Sequence, residues 1–358
     1  MVGSGCRIVN NPSITYRWGV STAEKIRRPL PHPGQATKPR VVILTAPGQP
    51  LPYNLDEIRA VADVTLTDAD GLAEASRGAA VLFLWDFFSS ALQQAWPEAD
   101  ELQWVHVAAA GVDAMMFEEL SASEVVVTNA HGIFDQPIAE FVLASVLAHD
   151  KQLHVSKQLQ QQNVWRHREL TRSGGTQALV VGTGGIGRAT ARLLRTLGMQ
   201  VAGVGRTART GDPDFGTVYP SAELAEHVHR ADHLVLIAPL TEETKNMVNH
   251  AVLAAMKPSA HLINVGRGAL VDESALIPAL REGRLAAASL DVFNEEPLAQ
   301  DHPFWGMGNV HISAHMCGDV VGWRDALARQ FLQNLRRWTA GEALANVVDK
   351  RRGYVSTS

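Results

Sequence analysis

The sequence has few cysteines and no long apolar run. Its 358 residues include only two cysteines, Cys6 and Cys317, too few for a disulfide framework and in keeping with a reducing compartment. No stretch approaches the roughly 18 consecutive apolar residues of a membrane span. The start of the chain lacks the charged segment, apolar run and cleavage site of a secretory signal. These absences predict a cytoplasmic protein.

An excess of positive charge is also absent. The 32 basic and 37 acidic residues give a formal net charge of −5, so the chain lacks the long-range attraction that draws nucleic acid or an anionic membrane. We therefore expect neither as a partner. The hydrophobic share of 46% and the charged share of 19% are typical of a folded protein, and the length suffices for two domains.

Short apolar runs predict an α/β unit in the first half of the chain. Residues 1–39 contain the proline-dense stretch PLPHPG at positions 29–34, which predicts an N-terminal extension without a central strand. The runs that follow are rich in Val and Leu and separated by longer segments, as in a parallel sheet with crossover helices. They lie at residues 41–44, 61–66, 81–84 and 104–107.

An apolar helix and a second α/β series follow. Residues 137–148 are apolar around nearly the whole helical circumference, with Asp135 just ahead and Pro137 suited to the first turn, which predicts a helix buried between domains or subunits. We predict an α/β fold with two doubly wound parallel-sheet domains, the second a Rossmann dinucleotide-binding domain. Its strands are expected at residues 178–181, 201–204, 233–238, 261–265, 286–290 and 310–312.

A glycine pattern lies between the first predicted strand and helix of that domain. In GTGGIG at residues 182–187, Gly182 permits a tight turn, Gly184 lets a pyrophosphate approach, and Gly187 allows close helix packing. A glycine-rich turn of another α/β protein is the alternative, but the strand and helix context favours dinucleotide binding. The predicted cofactor-binding residues of this turn are Gly182, Gly184, Gly185, Ile186 and Gly187.

The end of the next strand indicates which nicotinamide cofactor binds. An acidic residue there binds the ribose 2′-hydroxyl of NAD, whereas this chain continues with Gly205, Arg206, Thr207, Ala208 and Arg209. Arg206 is suited to a two-pronged contact with a 2′-phosphate, with Thr207 and Arg209 beside it. The alternative is that both arginines are solvated loop residues. We predict that NADP(H) is preferred and NAD(H) possible.

Three further segments follow predicted strands and together supply an arginine, a glutamate and a histidine. They are residues 264–268, 291–297 and 311–315, with Arg267, Glu296 and His315 among them. Open α/β sheets bind ligands beyond the carboxyl ends of their strands. A carbonyl that accepts hydride develops negative charge on oxygen and needs a positioned proton donor, which this set would provide.

In order and spacing these segments resemble the D-isomer-specific 2-hydroxyacid dehydrogenase family, which includes glyoxylate and hydroxypyruvate reductases. The resemblance is close over residues 104–348 and weaker before residue 100. It implies an NAD(P)-dependent oxidoreductase that interconverts a small 2-keto acid and the D-2-hydroxy acid. Further matching segments are AGVD at 110–113, PLT at 239–241, LVD at 270–272 and HPFW at 302–305.

The resemblance also implies a role for each site residue. His315 would be the general acid in reduction, Glu296 would hold its imidazole and favour the protonated form, and Arg267 would grip the substrate carboxylate and keto oxygen. Pro297 distinguishes Glu296 from its neighbour Glu295. No metal ion is expected. The backbones of Ala110 and Gly111 would bind the substrate carboxylate, and Pro239, Val265, Gly266 and Asp291 would lie at the nicotinamide end of the cofactor.

The resemblance implies a domain division and a two-fold symmetric assembly as well. Residues 40–148 plus 320–358 would form the substrate domain, and residues 149–319 the dinucleotide-binding domain. The helix from residue 137 would help to form a homodimer. The chain departs from the family pattern at Ala314, where proline commonly precedes the histidine, and at Gly205, where an acidic residue is usual.

Two other functions stay open at this point. Members of the same broad group act as nicotinamide-sensing transcriptional corepressors, which bind the cofactor without turnover. Others oxidise formate or phosphonate. The complete set of Arg267, Glu296 and His315 favours an enzyme over a sensor, but the pattern does not identify the substrate side chain.

Overall fold

Two parallel sheets, each flanked by helices, make up the part of the chain that the computed structural model describes, residues 38–355. The predicted extension at residues 1–39 lies outside the described residues except for its last two positions. The predicted class, α/β with a Rossmann domain in the C-terminal half, is confirmed. No helix within residues 38–355 is long and apolar enough to cross a membrane.

The first sheet has five parallel strands in the order β2-β1-β3-β4-β5. This is a doubly wound order, and β1, β3 and β4 are buried almost throughout because helices cover both faces. Its strands are β1 (Arg40–Leu44), β2 (Asp63–Thr67), β3 (Val81–Leu84), β4 (Trp104–Val107) and β5 (Val126–Asn129), and its helices are α1 (Leu55–Val61), α2 (Leu72–Ser76), α3 (Ala91–Ala95) and α4 (Glu118–Ala122).

Two features of this sheet differ from the prediction. The run at residues 61–66 is not one strand: Val61 ends α1 and β2 begins at Asp63. Strand β5 was not predicted, because its second half is polar. Thr128 is nevertheless buried, and its hydroxyl accepts a bond from Trp104 Nε1 at 2.8 Å and contacts His106 Nδ1 at 2.7 Å.

The second sheet has eight strands in the order β13-β12-β11-β10-β6-β7-β9-β8. All pairs are parallel except β8 with β9, so the central order is that of a Rossmann fold. The strands are β6 (Gln177–Val181), β7 (Gln200–Gly205), β8 (Arg209–Asp212), β9 (Gly216–Pro220), β10 (His233–Leu236), β11 (His261–Asn264), β12 (Ala287–Leu290) and β13 (Val310–Ile312). Strands β8 and β9 were not predicted, since glycine and polar residues interrupt them.

Two long helices connect the two halves, and a shorter helix follows the first of them. The predicted apolar helix is α5 (Asp135–Asp150), which begins two residues before Pro137, and α6 (Leu153–Gln161) follows it. One cluster of buried side chains runs from the first sheet through α5 to the second sheet. The last helix, α11 (Trp323–Thr339), returns to the first sheet, where Phe331 stacks on Phe83 with ring centroids 3.9 Å apart. The boundaries of the two domains stay a prediction.

The remaining helices flank the second sheet. They are α7 (Gly185–Thr196), α8 (Leu224–His227), α9 (His250–Ala255) and α10 (Glu273–Arg281). Short 3₁₀ helices lie at Trp96–Glu98, Asp113–Met115, Ser221–Glu223, Val228–Arg230, Gly268–Leu270 and Pro303–Gly306.

Buried histidines are an unusual feature of this core. The half-buried His149 stacks on the buried His261 with ring centroids 4.4 Å apart, and the half-buried rings of His154 and His311 lie 4.1 Å apart at a tilt of 46°. Burial lowers the pKa of His311 to about 4, and that of His261 well below its ordinary value. In the first sheet, burial lowers the pKa of His106 to about 3. These rings are neutral in the folded protein near pH 7.

The buried histidines predict a loss of stability in mild acid. Below about pH 6.5, the ordinary histidine pKa, the unfolded chain binds protons that the buried rings do not, so the free energy of unfolding falls as pH falls. Each such ring contributes up to about 1.4 kcal/mol per pH unit. Urea unfolding at pH 7.5, 6.5 and 5.5 measures the slope. His106→Phe should flatten it and the exposed His167→Gln should not; parallel curves for wild type and His106→Phe would contradict this.

Candidate active site

The three segments that carry the predicted catalytic residues meet at one edge of the second sheet. Strands β11, β12 and β13 are parallel neighbours, with Asn264 in register with Leu290 and Leu290 with Ile312. The loops that follow these strands hold Arg267, Glu296 and His315. The structure therefore brings all three side chains to the same carboxyl edge, where such a sheet binds its ligands.

His315 and Glu296 are hydrogen-bonded to each other. The imidazole Nδ1 lies 2.7 Å from Glu296 Oε2, and Glu296 Oε1 accepts a bond from the Phe293 N–H at 2.9 Å. Burial opposes ionisation of Glu296, but the bonds from His315 and Phe293, with the charge of Arg267, hold its pKa below the usual range. The next peptide, Glu296-Pro297, is cis. Glu296, and not Glu295, thus orients the imidazole and leaves Nε2 to face outward.

A buried carboxylate fixes the loop that carries His315. Asp291 is 0% exposed; its backbone oxygen accepts the His315 N–H at 2.8 Å, and its carboxylate accepts the N–H groups of Met316 and Cys317, both at 3.0 Å, and the Ser313 hydroxyl at 2.5 Å. These bonds hold His315 at φ +50°, a conformation that L residues rarely adopt. They constrain the loop although Ala314 stands where the family commonly has proline.

The structure thus assigns Asp291 a supporting task that the sequence did not reveal. Its predicted contact with the nicotinamide stays a prediction. The neighbouring thiol of Cys317 is buried, and burial followed by the charge of Asp291 raises its pKa far above the ordinary value, so the thiol is not a nucleophile here.

Arg267 is held by a carboxylate from the first domain. Its Nε donates to both oxygens of Asp113 at 3.1 and 3.0 Å, and its Nη2 donates to Asp113 Oδ1 at 2.9 Å. Nη1 donates to the Gly266 oxygen at 2.8 Å. A guanidinium carries five N–H groups, so one remains on each of Nη1 and Nη2. That pair matches the geometry of a carboxylate or of a keto acid's neighbouring oxygens.

The predicted carboxylate cradle lies against the same guanidinium. A Cβ at Gly111 would stand 1.8 Å from Arg267 Nη2, so only glycine lets the backbone come this close. The oxygen of Ala110 accepts a bond from the buried Asn129 side chain at 2.5 Å, which fixes the peptide ahead of Gly111. The structure therefore places Ala110 and Gly111 beside Arg267, as a shared carboxylate site requires.

The loop that carries Arg267 is fixed by its own neighbours. Asn264 Nδ2 donates to the Arg267 oxygen at 2.9 Å, and Asn264 Oδ1 accepts the Gly266 N–H at 3.1 Å. A Cβ at Gly268 would lie 2.0 Å from the backbone of Phe293. The β11 and β12 loops are thus packed backbone to backbone, which sets the spacing between Arg267 and Glu296.

The glycine turn has the shape that a dinucleotide needs. Gly182 has φ +112° and lies against Ala238, where a Cβ would come within 2.8 Å of the backbone nitrogen. A Cβ at Gly187 would stand 1.9 Å from the Gly182 oxygen, whereas at Gly184 nothing lies within 4 Å. Gly184 is the N-cap of α7, and the first N–H groups of this helix, at Gly185 and Ile186, have no side-chain cap and are available to a pyrophosphate.

The other predicted cofactor residues border this turn. Pro239 follows β10, and Val265 and Gly266 follow β11. Arg206 and Thr207 are exposed after β7. Arg209 lies in strand β8 and not in a loop, and its Nε donates to Asp212 Oδ2 at 2.8 Å, which leaves its two terminal nitrogens for a phosphate.

Two residues at the site were not found from the sequence. Asp113 lies in the quoted AGVD segment, but its pairing with Arg267 joins positions 154 residues apart, which no local pattern shows. Phe88, after β3, is 65% exposed, and its ring centroid lies 5.6 Å from that of His315 in an edge-to-face arrangement. Phe88 is therefore placed to line the substrate side of the imidazole. Within residues 38–355 no group of three or more His, Cys, Asp or Glu side chains is arranged to hold a metal ion.

Sequence comparison with known proteins finds a family profile and relatives that match this chain. The profile of the D-isomer specific 2-hydroxyacid dehydrogenase NAD-binding domain matches residues 143–317. The chain is 31% identical over 266 residues to a glyoxylate reductase of Aeropyrum pernix, covering 71% of this chain and 78% of that protein.

Solved structures of related enzymes are similar to this chain over a larger share of its length. An NADPH-dependent glyoxylate/hydroxypyruvate reductase from Sinorhizobium meliloti, in complex with NADP and sulfate, is similar with a TM-score of 0.75 and 26% identity, covering 89% of this chain and 100% of that one. A D-isomer specific 2-hydroxyacid dehydrogenase from Xanthobacter autotrophicus, in complex with NADPH and MES, is similar with a TM-score of 0.73 and 29% identity over the same shares.

The hydrogen bonds to Asp291 predict that Asp291→Asn lowers the stability of the protein. Asp291→Asn replaces one accepting oxygen by an amide that donates, so at least one buried N–H of the His315 loop loses its acceptor. We expect the free energy of unfolding to fall by about 2 kcal/mol or more. Urea unfolding measures it, with the exposed Asp301→Asn as the control. Equal stability of Asp291→Asn and wild type would contradict the assigned bonds.

Proposed function

This chain belongs to the D-isomer-specific 2-hydroxyacid dehydrogenase family, and we propose that it reduces a small 2-keto acid of the glyoxylate or hydroxypyruvate type to the D-2-hydroxy acid with NADPH. The observation that carries the proposal is the meeting of His315, Glu296 and Arg267 at one sheet edge, with one free N–H on each terminal nitrogen of the guanidinium. The glyoxylate reductases among its relatives support the substrate class.

The side chains divide the work of carbonyl reduction between them. Arg267 and the backbone at Gly111 bind the substrate carboxylate, and the guanidinium also reaches the keto oxygen. When bound, NADPH supplies the hydride to the keto carbon. As negative charge develops on the keto oxygen, His315 gives it the proton from Nε2, while Glu296 holds the imidazole through its Nδ1. In the oxidation direction His315 accepts the proton.

The preference for NADPH follows from the residues after β7. No carboxylate stands at Gly205, where a Cβ would already lie 3.1 Å from Thr183 Oγ1, so the residue at this position does not repel a 2′-phosphate. Arg206, Thr207 and Arg209 offer two positive charges and a hydroxyl to it. NAD(H) remains usable, because the pyrophosphate site is common to both cofactors.

An assay over cofactors and substrates tests the proposal. We expect the oxidation of NADPH with glyoxylate or hydroxypyruvate, a lower kcat/KM with NADH, and no reduction of NADP by formate or phosphonate. His315→Gln should lower kcat by about 100-fold or more with an unchanged Kd for NADPH, and the exposed His167→Gln should match wild type. NADPH binding with no turnover of any 2-keto acid would instead indicate a nicotinamide-sensing binding protein.

We also propose a cytoplasmic homodimer. The arm formed by residues 153–172 follows α5 and exposes apolar side chains, with Trp165 100% exposed and Leu153 and Leu170 at 56% and 50%. Several exposed large apolar side chains on one segment, with a tryptophan among them, are typical of an interface. The free thiol of Cys317 is in keeping with a reducing compartment.

Light scattering on the purified protein tests the assembly. We expect the mass of two chains for wild type and a shift toward one chain for Trp165→Ser, whereas Trp305→Ser, which removes a 55% exposed tryptophan outside the arm, should keep two. A single-chain mass for wild type at all concentrations would refute the dimer.

A further inference from the structure

We infer that Tyr354, near the C-terminus, is a positioning residue for the cofactor: its ring holds the guanidinium of Arg206 where a 2′-phosphate binds. The inference rests on the proposed use of NADPH. It assigns part of the cofactor specificity to a segment far from the glycine turn in sequence and anchored on the other half of the molecule.

The turn that carries Tyr354 is fixed to the first half of the molecule. It is closed by the Asp349 N–H, which donates to the Tyr354 oxygen at 3.1 Å, and by the Gly353 N–H, which donates to the Asp349 oxygen at 2.8 Å. The Lys350 ammonium ties the turn to the end of α4 and the start of β5. It donates to the backbone oxygens of Leu120, Ser123 and Val125 at 3.0, 2.5 and 3.0 Å.

From this anchor the Tyr354 ring reaches the second domain. The guanidinium carbon of Arg206 lies 5.4 Å from the ring centroid, within the distance of a cation–π contact. Arg206 also has an acidic neighbour: a hydrogen bond from Thr241 and, more weakly, the charge of Arg206 lower the pKa of Glu243. Arg206 thus has two neighbours, the Glu243 carboxylate, which attracts its charge, and the Tyr354 ring, which lies within cation–π distance.

A guanidinium over an aromatic ring suits phosphate recognition. A cation–π contact uses none of its N–H groups in a hydrogen bond, so they stay available for phosphate oxygens. Without the ring, Arg206 is free to turn toward Glu243 and must be reoriented when the cofactor binds. Only NADPH carries the 2′-phosphate, so the contact affects NADPH and not NADH.

The experiment compares four variants for both cofactors. Tyr354→Ala should raise the Kd and KM for NADPH by about 2- to 5-fold, the effect of an exposed cation–π contact, and leave those for NADH unchanged. Tyr354→Phe keeps the ring and should restore the wild-type values. Arg206→Ala should raise the Kd for NADPH by about 10-fold, and adding Tyr354→Ala to it should change nothing further.

The matched control removes another exposed pair of the same type. Arg329 lies 5.8 Å from the centroid of Tyr53, and Tyr53→Ala should leave the ratio of the NADPH and NADH constants unchanged. If Tyr354→Ala binds NADPH like wild type while Arg206→Ala does not, the role of Tyr354 is refuted and the cofactor preference stands. If Arg206→Ala itself binds NADPH like wild type, both the proposed basis of the cofactor preference and this inference are refuted.

Discussion

A carboxylate buried at 0% exposure must be surrounded by donors, and at Asp291 the donors are the very groups that shape the active-site loop. The N–H groups of Met316 and Cys317 and the hydroxyl of Ser313 all converge on it. Because a buried carboxylate left without these bonds costs several kcal/mol, the chain after β13 is forced to turn back on itself. His315 then takes φ +50° and presents its imidazole to Glu296. The backbone conformation of His315, our proposed proton donor, follows from this one constraint.

The two halves of the molecule are tied together at both ends of the cofactor path. At the substrate end, Asp113 of the first half binds Arg267 of the second. At the phosphate end, Tyr354 contacts Arg206. Between them α5 packs against α7, the helix that starts at the glycine turn. In the proposed mechanism, substrate and cofactor bind where the two halves meet, which would position the keto carbon beside the reactive ring and limit the access of water.

The parts that could be predicted from the sequence are those with a local signal. The glycine turn was predicted because its glycines form a short local pattern between a strand and a helix, and the strands β3, β4 and β13 are short apolar runs that matched residue for residue. Strands β8 and β9 were missed because they lie at one end of the sheet and contain polar residues and glycines in place of an apolar run. Asp113, Phe88 and the bonds of Asp291 were missed because each depends on a partner that the fold supplies from a distant part of the chain.

The claim at the centre of this account is our proposal that Glu296 holds the His315 imidazole in position for proton donation. The kcat for glyoxylate reduction tests it most directly, in wild type, in Glu296→Gln and in the exposed neighbour control Glu295→Gln. Loss of the carboxylate should lower kcat by about 10-fold or more in Glu296→Gln, with an unchanged Kd for NADPH, whereas Glu295→Gln should match wild type. Equal kcat in all three proteins would contradict the claim.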